Sequence, residues 1–230
     1  MNQLRKLTDI HFVPKNLLKL IDEQGNKFEL YGGWRCENSG LNETLYQESD
    51  LGYKLIKFSP FKFLDQVSDD FMISVKLRLC FEEYSECNVF SLASDNSKLS
   101  LFVDSGGWAL LPDIGHRILR LEYIQHGDTG DIPVCLTLPL KIKNSVNWKN
   151  CQQLILLEYK NKDLTIYVKL DNADGSFSER SFTLGKVTIL KSDTFNLKVF
   201  SDPFKELKTE GAKIPRRDGL LAFSIFEYTA

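Results

Sequence analysis

Residues 71–79 run Phe-Met-Ile-Ser-Val-Lys-Leu-Arg-Leu, an alternation of apolar and polar positions that a helix cannot use. Successive side chains on a strand point to opposite faces, so Ile73, Val75, Leu77 and Leu79 share one face while Ser74, Lys76 and Arg78 share the other. Such a segment buries one side against a second layer and leaves the other wet. Alternating segments recur along the chain, separated by turn residues, with no convincing amphipathic helix between them. The expected fold is all-β, an antiparallel sandwich.

Strands are expected over 27–31, 53–58, 71–80, 88–93, 99–103, 118–124, 154–159, 164–170, 181–184, 187–190, 195–200 and 220–228. Residues 22–26, 94–97, 104–107, 125–131 and 160–163 carry the Gly, Asn, Asp and Ser that turns require. Residues 15–21 read as one or two helical turns or an edge strand. Long polar loops are expected over 34–50 and 201–218. Roughly a dozen short strands at this spacing are the pattern of a sandwich or jelly roll. Nothing resembling a linker or repeat divides 1–230, so a single domain is expected. The last strand is expected to pair inside a sheet.

The composition narrows the partners. With 43% hydrophobic and 26% charged residues, the 230-residue chain has the make-up of an ordinary globular protein. Sixteen Phe, eight Tyr and three Trp supply the aromatic bulk that sheet packing uses. A net charge of -2 gives no general attraction to nucleic acid or anionic lipid, and neither is expected as a partner. Arg5 and Lys6 are not followed by an apolar stretch of signal-peptide type, and no apolar run is long enough to cross a bilayer. The expectation is a protein made without a signal peptide and not inserted in membrane, cytoplasmic or virion-associated. Cys36, Cys80, Cys87, Cys135 and Cys151 show no CxxC spacing and read as free thiols in a reducing compartment.

Four stretches carry a family resemblance: 70–77; 89–92 with 98–103; Trp148 with 153–159 and 164–169; and 219–227. They resemble successive strands of the concanavalin A-like lectin/glucanase fold, in particular laminin-G-like domains of the bacterial and phage type. In that family a tryptophan-led strand is followed by one ending in aspartate-glycine; here Asp171 and Gly175 come later and apart. The resemblance spans 50–230 and implies a jelly-roll sandwich. Because that fold hosts lectins, hydrolases, lyases and adhesion modules, function has to be argued from the site.

A glycan-cleaving sandwich needs two carboxylates facing one sugar bond. No Glu-x-Asp-x-Glu strand exists here. Glu82, Glu83 and Glu86 read as a solvated loop, and Glu48 and Asp50 fall in the expected loop 34–50. No enzyme is expected. His11, His116 and His126 are the only histidines and none has metal-ligand spacing. His116 is expected in a turn.

Asp171, Asn172 and Asp174 offer oxygen ligands of the kind calcium takes, against the alternative of a plain Asx-rich turn. Asp128 and Asp131 form a second such turn. Trp34 and Trp108 stand beside glycine pairs in expected loops. An exposed ring there could stack on a pyranose; the alternative is a ring capping the core.

Two functions are therefore expected in competition. The first is non-catalytic binding of a carbohydrate or glycoprotein surface through edge loops, with a rim of Trp34, Trp108, Asp104 and His116. The second is a structural or assembly protein, a phage or virion component that self-associates or contacts other virion proteins.

Overall fold

The computed structural model describes residues 3–11, 19–31, 34–38, 43–47, 55–64, 69–78, 86–105, 116–126, 132–141, 153–171, 177–201 and 219–229. Its strands are β1 (Gln3–His11), β2 (Phe28–Tyr31), β3 (Trp34–Asn38), β4 (Glu43–Gln47), β5 (Leu55–Phe58), β6 (Phe71–Arg78), β7 (Glu86–Ala93) and β8 (Ser97–Ser105). They continue with β9 (His116–Gln125), β10 (Ile132–Lys141), β11 (Gln153–Lys160), β12 (Asp163–Asp171), β13 (Phe177–Lys186), β14 (Asn196–Ser201) and β15 (Gly219–Thr229). Two sheets result, antiparallel throughout. The first has the order β13-β12-β11-β6-β15-β4-β3, with β1 also beside β15; the second has β10-β9-β8-β7-β14-β5-β2.

The alternation that defines β6 is what brings the sheets together. Phe71, Ile73, Val75 and Leu77 are buried, as are Ile155, Leu157, Leu164, Ile166, Phe223 and Ile225 on neighbouring strands of the first sheet. Leu92, Leu99, Leu101, Leu119, Leu121, Leu197 and Val199 from the second sheet complete the same cluster. The Phe90 and Phe223 rings meet from opposite sheets at 5.8 Å between centroids. Hydrophobic burial of this facing surface is the main stabilising term.

Turn chemistry closes the hairpins. Asn161 and Lys162, with φ of 51° and 67°, form the two-residue loop between β11 and β12, the mirror-image turn whose twist matches the strands. The Asp70 side chain caps it by accepting from the Asn161 N–H at 3.0 Å.

Residues 187–195 cross from the first sheet to the second. The sequence pattern predicts a strand over 187–190, and burial does alternate there, with Val187 and Ile189 inside. Yet no ladder partner exists among the described residues. Instead, Tyr159 Oη donates to the Val187 carbonyl at 3.1 Å and accepts from the Ile189 N–H at 3.1 Å. Tyr123 Oη, from the other sheet, donates to the Thr188 carbonyl and accepts from its N–H at 3.2 Å. Two hydroxyls thus replace a neighbouring strand. Burial pushes both hydroxyls above the ordinary tyrosine value, keeping them protonated and able to donate. Beyond them lies Lys191, fully buried against Glu227 at 3.8 Å.

Three further expectations are corrected. The loop over 34–50 contains β3 and β4, a hairpin at the edge of the first sheet. Its polar composition misled because an edge strand needs ladder hydrogen bonds more than a buried face. Residues 132–141, where no strand was expected, form β10. Pro133 and Pro139 are tolerated because β10 is an edge strand and both positions have the same parity, letting both nitrogens face the open side. Asp104 and Ser105 continue β8 instead of opening a turn, and His116 begins β9 opposite Lys141. Ladder pairing again outweighs local turn propensity there.

Candidate functional site

The strand register defines two unlike ends of the sandwich. At one end, the β7–β8 turn, the β11–β12 hairpin and the 187–195 crossover are all tightly bonded. Phe61, Phe63, Phe71 and Phe195 interlock there at centroid distances of 5.2 to 6.2 Å. The other end is where β6 stops and β7 starts, where β8 stops and β9 starts, and where β10, β12 and β14 finish. Connections starting and finishing there span 32–33, 48–54, 79–85, 106–115, 142–152, 172–176 and 202–218, all outside the described residues.

The register brings several of the expected site residues to this second end. Trp34 opens β3 opposite Gln47, and neighbouring Arg35 pairs with Tyr46, which pairs with Gly219 at the start of β15. Asp104 pairs with Ile118, two residues along from His116, so these two flank the β8–β9 connection. Asp171 closes β12 opposite Phe177. Trp108, Asn172, Asp174, Asp128 and Asp131 lie outside the described residues, as do Glu82 and Glu83 and the side chains of the five cysteines. His126 sits at the opposite, tightly turned end, its N–H bonded to the Asn96 carbonyl at 2.9 Å.

A polar cluster that spacing did not reveal lies on β1. The turn 22–26, held in shape by Gly25 at φ 86°, folds back onto this strand. Asp22 Oδ1 accepts from the backbone N–H groups of Gln24 and Asn26 at 2.9 and 2.8 Å, and Asn26 Nδ2 donates to the Leu7 carbonyl at 2.8 Å. Beneath the turn is Asp9, buried, accepting from Ser224 Oγ at 2.6 Å and paired with Lys6 at 2.5 Å. His11 and Glu23 stand close enough that ligand atoms of Asp9, His11 and Glu23 fall within 4.8 Å of one another, a spacing a metal ion would accept. Both Asp9 oxygens are already engaged, however, and the Lys6 ammonium supplies the positive charge a cation would bring. The arrangement is structural.

Burial pushes the Asp9 carboxyl up, but the hydrogen bonds from Lys6 and Ser224 and the Lys6 charge outweigh it and hold the group below its ordinary value. A depressed folded value means stability that is present above the unfolded carboxyl value, about 3.9, and lost as pH falls through the folded one. Asp9→Asn should therefore be less stable than the parent at pH 7 but lose less on acidification below pH 4. Urea midpoints measured over that range check this; parallel curves would remove Asp9 from the acid transition.

The sequence matches no protein-family model and no curated protein. Solved structures do resemble it. The receptor-binding domain of botulinum neurotoxin mosaic serotype C/D superposes with a TM-score of 0.59 at 12% identity, over 98% of this chain and 48% of that one. A botulinum neurotoxin type C structure, described by cell entry dependent upon interaction with two ganglioside molecules, gives 0.57 at 13% identity, over 98% and 48%. The CBM2 module of the evolved Dit of Lactobacillus casei BL23 phage J-1 gives 0.54 at 10% identity, over 100% of this chain and 98% of that module. The chain spans about half the length of the toxin domains. At these identities the likeness is one of fold: a β-sandwich of the architecture used by these binding domains.

Proposed function

We propose that this chain is a non-catalytic binding module for a glycan or glycosylated surface, using the loop-bearing end of the sandwich. The observation that supports the reading is that Trp34, Asp104 and His116 all lie at strand ends on that one side. We assign Trp108 to the same rim because in sequence it falls between Asp104 and His116. A rim of this make-up combines rings that stack on sugar C–H faces with polar groups that fix orientation. The fold neighbours lend support, one being a CBM2 module and another a toxin described by ganglioside interaction. The concanavalin A-like, laminin-G-like assignment is the finer form of the same reading, and an enzyme has no part in it.

Trp108→Ala should keep the far-UV spectrum and urea midpoint of the parent while losing about tenfold in affinity on a glycan array carrying neutral and acidic sugars. Unchanged affinity in the folded variant would sink the rim. Repeating the array in EDTA tests the Asp171, Asn172 and Asp174 turn as a calcium-dependent part of it.

A second reading is favoured by the phage Dit module, which the chain matches over nearly all of its length. On that reading the sandwich is a virion component that binds other virion proteins or itself. Light scattering that finds a defined trimer or larger ring would favour it; a monomer would favour the module.

A further inference from the structure

The solvent face of the first sheet carries a constellation away from the rim. Glu158, on β11, lies between two tyrosines from different strands. Tyr228 Oη, on β15, donates to Glu158 Oε1 at 2.7 Å, and Tyr167 Oη, on β12, donates to Glu158 Oε2 at 3.3 Å. Neither tyrosine is the register partner of Glu158, which pairs with Met72 and Thr165. Each side chain must therefore lean across the sheet to reach the shared carboxylate, so the rings lie along its surface. Tyr167 remains 40% exposed in that pose. On the same rung as Glu158, the Thr165 and Thr183 hydroxyls meet at 3.1 Å. Lys160 Nζ stands 5.8 Å from the Tyr228 ring centre, and Lys169 pairs with Glu179 at 3.7 Å at the margin.

These groups have a definite chemistry. A ring anchored at its hydroxyl loses little freedom on binding, and its face suits the C–H side of a pyranose. Each Glu158 oxygen keeps lone pairs for sugar hydroxyls after accepting from a tyrosine. The threonine pair adds groups that both donate and accept. Burial, together with the Glu158 hydrogen bond and charge, pushes the Tyr228 hydroxyl up to about 12, so it stays a donor at any working pH. Lys160 and Lys169 offset the Glu158 and Glu179 charges, so the face carries no strong field of one sign to select a charged chain. Tyr167 and Tyr228 stand three strands apart and four residues out of level, so their rings reach Glu158 from opposite sides along a diagonal and together extend beyond a single sugar ring.

We propose that this face, built on Tyr167, Glu158 and Tyr228, is a second binding surface that takes a neutral polysaccharide laid across the strands. It is separate from the rim and would exist whether or not the rim binds. The test is affinity gel electrophoresis of the full chain in gels containing mixed-linkage β-glucan, xyloglucan or yeast mannan. The parent should be retarded in at least one gel. Tyr167→Ala should weaken that retardation about tenfold, Tyr167→Phe should retain most of it, and Leu64→Ala, an exposed residue that belongs to neither surface, should leave it unchanged. Far-UV spectra and urea midpoints establish that each variant is folded. Retardation lost in Trp108→Ala but intact in Tyr167→Ala overturns the sheet-face site and leaves the rim. No retardation in any gel also overturns it, while the rim keeps its own test on the glycan array.

Discussion

Replacing Lys191 with methionine should destabilise the protein by about 3–5 kcal/mol, the scale of breaking a buried ion pair from one side. Methionine keeps most of the length and volume of the chain and removes its ammonium, both the charge and the donors. Lys191 and Glu227 both have no exposed side-chain surface and stand 3.8 Å apart. The ammonium also donates to the Tyr228 carbonyl at 3.5 Å and lies 5.4 Å from the Phe63 ring centre. Glu227 Oε2 accepts from the Leu64 N–H at 3.0 Å, tying in the β5–β6 connection. Arg5 is 3.9 Å from the other oxygen but half exposed, so water screens it and it compensates poorly.

The double variant Lys191→Met with Glu227→Gln should recover most of the loss, since Gln keeps an acceptor for Leu64 and no charge remains to strand. Urea unfolding of both singles and the double closes the cycle. A cost below about 1 kcal/mol for Lys191→Met would show that the pair does not pin this end of the sandwich.

The second large effect is expected at Phe223. This residue sits on β15 with Ile10 opposite on one side and Val75 on the other, and its ring meets Phe90 from the facing sheet. Phe223→Ala empties a fully buried position at the contact between layers, so a loss of about 3–5 kcal/mol is expected. Leu64→Ala, at a side chain 62% exposed, should stay within about 0.5 kcal/mol and serves as the control. A small Phe223 effect would mean that the sheets can slide together and close the gap, contrary to a tightly packed interior.

The sequence announced its sheets wherever one face is apolar and the other polar. β6, β7, β11, β12 and β15 fall where the alternation of residues 71–79, 88–93, 154–159, 164–170 and 220–228 put them. β3 and β4 were hidden because pairing partners far along the chain, Gly219 and Leu220, hold β4 in place. β10 was hidden by its prolines, which only its edge position excuses. The segment 187–190 was misread for the opposite reason: it has the burial rhythm of a strand, but its backbone bonds go to two tyrosine hydroxyls and the Lys162 carbonyl, which no local pattern can reveal.

The site divides in the same way. Trp34, Asp104 and His116 were chosen from local composition, and only the register shows that they share an end. Glu158, Tyr167 and Tyr228 were passed over because they come from three strands and look, one at a time, like ordinary outward-facing residues. A polar aromatic on the wet side of a well-marked strand was the available signal.

The position of β15 also sets the order in which the molecule can be made. Ser224 and Asp9 are bonded across 215 residues of chain, and β6 waits through most of the intervening synthesis for its neighbour. Until β15 leaves the ribosome, the first sheet is three unjoined parts with open edges, exposed to strand pairing with other chains. Contacts this distant in sequence place refolding toward the slow, milliseconds-to-seconds range of β-rich folds. Yield in the cell should therefore depend on how long nascent chains are kept apart as much as on the stability of the finished sandwich.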